Sequence, residues 1–321
     1  MGKLIENPKT YTGQEMENIF FLSSYTGENA QALGLKCIFN LPVNTTMNFW
    51  ERQDNILQDF ADGWQGGDAS IKKQKTIEFK TVKAELGIKA TTYRNTIYMR
   101  MANTAGVNMQ DLQGTDMEKA EVSLFRESIT ESTRVHMWAG DTAAAISSTH
   151  TKFDGFLKKA STYTDVTKMK LTAATSSNIV SSFNSILKAA PAQLKALKST
   201  GKLAFFVTDD VYEAYESALD ANTLAYNDMQ NGRQTLNYHG IEVRRMGVDG
   251  AFKTKGQSTI LFTHKDNLVF AVNTRDMPDA EVRFWYNPDE NENRNRAVFS
   301  VATEILDDEL VVYASTTYAA S

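Results

Sequence analysis

The chain has 321 residues, a formal net charge of -5, and 42% hydrophobic and 23% charged residues. That length suits two or three domains of ~100–200 residues, and the composition is that of a folded globule, which excludes a disordered chain. The acidic balance argues against a protein that grips nucleic acid through phosphate contacts, because such a protein shows a basic face.

The small basic clusters Lys72, Lys73 and Lys75, and Arg244 and Arg245, read as solvated faces or rim contacts. The one cysteine, Cys37, excludes an intrachain disulfide or a thiolate metal site. With Phe39 and Leu41 close by, it reads as a small buried hydrophobe in a reducing compartment. The start, MGKLIENPKT, has no apolar segment of a secretory signal, and Glu6 stands where myristoylation needs Ser or Thr. No run approaches the ~20 apolar residues that span a bilayer, so no membrane partner is expected.

Residues 1–62 have weak periodicity and read as an arm lying over other domains or subunits. Residues 71–101 alternate: Ile77, Phe79 and Val82 begin one strand, Ile97, Met99 and Met101 line another, and Gly87 is placed to turn between them. A two-stranded hairpin is marginal alone in water, so it needs a partner surface, and another copy of the chain would supply one. Residues 115–139 predict a helix of about 25 residues, close to 37 Å at ~1.5 Å per residue. Thr115 and Glu118 form a capping box, Met117, Ala120, Leu124, Ser128, Val135 and Trp138 form the expected stripe, and Gly140 stops the helix.

Residues 176–199 predict one or two helices broken at Pro191, with Ile179, Val180, Phe183, Ile186 and Leu187 on one face. Leu203–Val207 reads as a buried strand, and Asp209 as the cap of a helix whose Val211, Tyr215 and Leu219 share a face. Strands follow at Ile241–Met246, Thr259–Phe262, Leu268–Val272, Glu281–Tyr286, Ala297–Ile305 and Glu309–Tyr313. Asn287–Asn295 reads as a polar loop and Leu306–Asp308 as a tight turn.

A search for chemistry finds no constellation. His136, His150, His239 and His264 show no ligand spacing, and each reads as a structural or surface histidine. Asp209-Asp210 fits a helix start and Asp307-Asp308-Glu309 a turn better than either fits a metal. No nucleophile elbow, phosphate loop or dinucleotide fingerprint is present, so no catalytic, cofactor or metal residue is assigned.

The order of elements resembles the major capsid proteins of tailed double-stranded DNA phages, the Hong Kong ninety-seven fold shared with herpesvirus shells and encapsulins. ATTYRNTIYMRM looks like the returning strand of that family's extended hairpin, the E-loop. FRESITESTRVHMWAGDTA resembles the end of its spine helix, with the junction at Gly140-Asp141. KFDGFLKKA is similar to the segment that follows, with Gly155, Phe156 and Leu157. KLAFFVTDDVYEAYESAL resembles the axial-domain strand and helix, and LNYHGIEVRRM carries Leu236, Gly240 and Val243 of a family stretch. FWYNPDENENRNRAVFSVATEILDDELVVY resembles the closing strands.

The resemblance implies an α+β phage major capsid fold. Its parts would be an N-terminal arm over 1–62, an extended β-hairpin (E-loop) over 63–106, a peripheral domain over 107–172 and 273–321 with a spine helix at 115–139, and an inserted mixed α/β axial domain over 173–272. Copies would assemble into hexamers and pentamers of an icosahedral capsid in the virion, built in the host bacterial cytoplasm. The implied partners are other copies, a separate scaffolding protein, a portal, a decoration protein and loosely held double-stranded DNA. Phe79, Lys83, Lys89, Tyr93, Tyr98, Trp50 and Trp64 are the inter-subunit contact candidates, and Met117, Leu124, Val135 and Trp138 the spine-helix packing set. Two alternatives differ in kind: an encapsulin-like compartment, which would carry protein cargo, and an enzyme with a scattered site, which would run as an active monomer.

Overall fold

The computed structural model describes residues 9–11, 30–39, 41, 45–52, 62–63, 70–89, 116–144, 150–221, 236–248, 258–273 and 282–317. Tyr93, Tyr98 and Trp64, the expected strand at Ile97–Met101, and the Thr115 end of the capping box lie outside them. So do the side chains of Trp50 and Met117.

Two sheets share one core. The first runs β1 (Lys9–Tyr11), β12 (Val282–Asn287), β13 (Glu292–Ile305), β11 (Leu268–Asn273), β2 (Lys36–Phe39), and β5 (Lys80–Lys89) also pairs with β13. The second runs β6 (Thr167–Lys170), β14 (Val311–Ser315), β10 (Thr259–His264), β7 (Leu203–Val207), β9 (Ile241–Arg245), β8 (Leu236–Tyr238). Between the sheets lie Phe206, Leu261, Met246 and Tyr313 from the second, and Phe270, Phe299 and Ile305 from the first. Helix α1 (Asp116–Ala139) and helix α2 (Phe156–Thr162) contribute Phe125, Trp138 and Phe156 to the same cluster.

The second sheet is covered on its other face too. Helices α3 (Ile179–Ala189) and α5 (Asp209–Ala221) place Phe183, Ile186 and Tyr215 against Phe205, Phe262 and Val243. A strand buried on both faces reads as a continuous apolar run, which is why LAFFV shows no alternation. The short α4 (Ala192–Ala196) follows Pro191. His239 and Gly240 both take positive φ, as a two-residue turn joining β8 to β9 requires.

Several expectations are corrected. The turn expected at Gly87 is absent, and the returning strand at Ile97–Met101 lies outside the described residues. β4 (Ser70–Ile77) pairs antiparallel with β3 (Thr45–Arg52), from the expected arm, while β5 runs through Gly87 and pairs with β13, Gly87 facing Arg294. An extended glycine inside a ladder has no need to turn. The expected loop at Asn287–Asn295 shrinks to a short turn, because Asn293 and Asn295 enter the ladder and bury their side chains, Asn295 accompanied by Glu121 of α1 at 3.0 Å. Leu268–Asn273 pairs into the first sheet and Val311–Ser315 into the second.

On α1 the buried stripe is Val122, Phe125, Ile129, Met137 and Trp138. Leu124 is 49% exposed and points away from the body, and Val135 is only half-buried. The α5 helix begins at Asp209 itself, so that carboxylate sits in the first turn and accepts from Arg245 Nε at 3.0 Å. Cys37 is half-buried on β2, where burial pushes its thiol up to about 11.

Candidate functional site

The β3–β4 ribbon is a separate two-stranded sheet that packs on the body at its root. Thr46 and Thr76 bond across its outer face at 3.2 Å. On its inner face Ile77 is fully buried against Val269, Ala271 and Ala302, with Met47 and Phe79 packed alongside. Further out the same face carries Lys73 and Lys75, and both reach the turn after β13. Asn267 fixes that turn: Asp307 N donates to its Oδ1 at 2.8 Å, and its Nδ2 donates to Asp307 O at 2.8 Å.

Lys75 Nζ bonds both Asp308 carboxylate oxygens, at 2.9 and 3.0 Å, and lies 3.9 Å above the centre of the Tyr163 ring. Lys73 adds Glu309 at 3.3 Å and Asp307 at 3.6 Å. Beneath them Glu304, 3% exposed, is held by Lys159 Nζ at 2.6 Å and by the Tyr163 hydroxyl at 2.5 Å. Burial raises the Asp308 carboxyl above its usual range, with Lys75 opposing, and burial together with Glu304 pushes the Tyr163 hydroxyl up. The ribbon root is thus a stack of alternating charges between strand and body. Sequence reading took Lys73 and Lys75 for a solvated face; alternation along β4, with an acidic turn elsewhere in the chain, is the signal that could have suggested their partners.

A second constriction joins α1 to the following segment. Gly140 N closes the helix on His136 O at 2.9 Å, Gly155 N donates to Gly140 O at 2.8 Å, and Asp141 N donates to His150 O at 2.9 Å. A Cβ on Gly155 would sit 2.6 Å from both His136 O and Trp138 O, and one on Gly140 would collide with Phe153 O. Backbone meets backbone here, so only glycine fits. Arg134, buried in α1, spans to the second sheet's loop, donating to Met246 O at 2.9 Å and Gly247 O at 2.5 Å.

Of the contact candidates, Lys83 and Lys89 lie on the exposed face of β5, Lys83 paired with Glu85 at 2.9 Å and Lys89 with Glu292 at 3.7 Å. Phe79 packs at the ribbon root and so is partly spent within its own chain. Trp138 is fully buried against Phe156 and Phe206. His136 is buried, with Nδ1–H on Ser132 O at 2.7 Å; His150 stands edge-on to it, 5.1 Å between ring centres, and burial lowers both histidines below their ordinary range. Among the described residues no group of three or more His, Cys, Asp or Glu is placed to hold a metal, and no helix is long and apolar enough to cross a membrane.

No family model and no curated protein matches the sequence. Solved structures do match in shape. A chain of a satellite phage P4 procapsid that includes the size determination (Sid) protein superposes with a TM-score of 0.56 at 11% identity, covering 95% of this chain and 99% of its own. A chain from the capsid of a native GTA particle gives 0.55 at 12% identity, covering 100% and 94%. One from the capsid of the cyanophage P-SCSP1u gives 0.53 at 11% identity, covering 98% and 93%. The mixed helix-and-strand chain has the fold of phage capsid structures along almost its whole length.

Proposed function

We propose that this chain is the structural subunit of an icosahedral capsid of a tailed phage, assembling into hexamers and pentamers around the genome. The observation that carries the reading is the end-to-end fold match to capsid chains together with a ribbon that, among the described residues, makes no sheet beyond its own two strands. In this reading α1 is the spine helix and β3–β4 is the base of the E-loop, which moves the loop's first strand into the segment expected to be arm. The second sheet with α3 and α5 is the core of the axial domain, and the first sheet belongs to the peripheral domain. The role is structural, with no reaction to catalyse.

Assembly supplies what the ribbon lacks. Each copy covers its neighbours' exposed edges, and buried apolar area contributes ~25 cal/mol per Å² before association costs. Scaffolding, portal and decoration proteins would act on this shell in the host cytoplasm, and DNA would touch it only loosely, as the net charge of -5 suits.

The test is electron microscopy of the purified full chain across a range of concentrations and salt. Closed shells of uniform diameter are expected, with DNA as the content of particles from infected cells. A monodisperse monomer under every assembly condition would overturn the reading; protein cargo in place of DNA would shift it to an encapsulin-like compartment.

A further inference from the structure

A cavity of about 80 Å³ lies beside α1, walled by Ala84 of β5, Ile129 of α1, Phe153 and Phe299. That is room for several water-sized groups, so a short side chain fits. Lys83, Ser132 and Thr133 share its lining with His136 and Lys152. His136 is 5% exposed, and because Ser132 O can only accept, Nδ1 carries the proton and Nε2 is left buried with no partner. Lys152, exposed and on the same lining, makes no ion pair with any described residue. His136 Nε2 can only accept, so a carboxylate at this cavity would pair with the exposed Lys152, which makes no ion pair with a described residue, while its short stem lies against the apolar wall of Ala84, Ile129, Phe153 and Phe299.

The same sheet offers such a carboxylate at its far end. The turn between β12 and β13 exposes Pro288, Asp289 and Glu290. Glu290 is held by Arg294, whereas among the described residues Asp289 bonds only through its backbone N–H, to Asn287 Oδ1 at 3.3 Å. Phe299 lies seven residues along β13 from Glu292, roughly 23 Å at ~3.3 Å per residue, so the tip cannot reach the cavity of its own chain. Socket and plug at opposite ends of one sheet make a head-to-tail contact, and repetition of such a contact closes a ring.

We propose that Asp289 at the β12–β13 tip of one copy enters the cavity beside α1 of the next copy and pairs with Lys152, which sets the direction of subunit packing around a ring. This rests on the shell reading above.

The test uses the full chain and compares Lys152→Glu, Asp289→Lys and the double variant by the concentration at which particles form, followed by light scattering and microscopy. Both residues are exposed, so the melting temperature of unassembled subunits should stay unchanged. Each single reversal sets like charges together and should raise the required concentration ~10-fold or more, and the double swap should return it to within ~3-fold of the parent. Single variants that assemble like the parent, or a double variant no better than the singles, overturn the contact while leaving the shell intact. A parent chain that forms no particles overturns both.

Discussion

Strand β7 and the β3–β4 ribbon solve the same problem in opposite ways. Every side chain from Leu203 to Val207 is buried, and β9 and β10 occupy both edges of the strand. The ribbon has one partner strand per strand, threonines on its outer face, and a root of one buried isoleucine and two lysines. The sheet's stability is apolar and internal. The ribbon's position depends on one apolar contact at its root and a few half-buried charges.

The contrast breaks most severely at the glycine junction. Gly155→Ala drives a methyl group into two carbonyl oxygens of α1 at a place where neither backbone can yield. A cost above ~4 kcal/mol is expected, seen as insoluble protein or as a collapse of the urea midpoint. A soluble variant with a parent-like midpoint would show that the crossing is looser than drawn.

Next comes Lys159→Met. It leaves Glu304, 3% exposed, with the Tyr163 hydroxyl but no cation, and an uncompensated buried carboxylate costs about 3 kcal/mol. Denaturant unfolding at neutral pH reads the loss. Lys75→Ala acts on the ribbon itself. The Asp308 pair is half-buried, with side chains 22% and 18% exposed, so the expected loss is about 1 kcal/mol, and it should be local. Hydrogen exchange should speed up in 45–52 and 70–77 while β7 keeps its protection; equal loosening of both would mean that ribbon and body unfold as one unit.

These effects also mark what sequence could show. The long helix, the buried run at Leu203 and the late strands were legible because local propensity and periodicity agree with tertiary use there. The stripe on α1 was misassigned: counting from Met117 put Leu124 inward, but the core face passes through Val122, Phe125 and Ile129, and buried polar residues such as Glu121 and Arg134 share it. Partners bonded across a long stretch of chain hide polar residues from a periodicity argument. Strand pairing was hidden for a similar reason. Period-two alternation states that β4 and β5 are strands, but the partners Thr45–Arg52 and Glu292–Ile305 lie beyond any local pattern. The glycines at 140 and 155 were visible as residues, but their reason, two backbones in contact, exists only in three dimensions.

The smallest expected effect separates the two regions by sign. His136 sits in the body with its pKa lowered, by burial first and by His150 and Lys152 after that. The unfolded chain takes up a proton near pH ~6.5 while the folded chain resists, so the body loses stability as pH falls below that value. At the ribbon root Asp308 has a raised pKa, so its contribution is complete below its unfolded value of ~3.9 and fades as pH rises through the folded one. Acidification from pH 7 to pH 5 should therefore lower protection of amides around 136–155, without Asp308 loosening the ribbon. His136→Phe, which keeps the stack on Phe153 but cannot titrate, should flatten the slope in the body and leave the ribbon's response alone. If that variant keeps the full slope, the proton is taken up elsewhere, and the half-exposed His150 and His264, both also lowered by burial, become the groups to replace next.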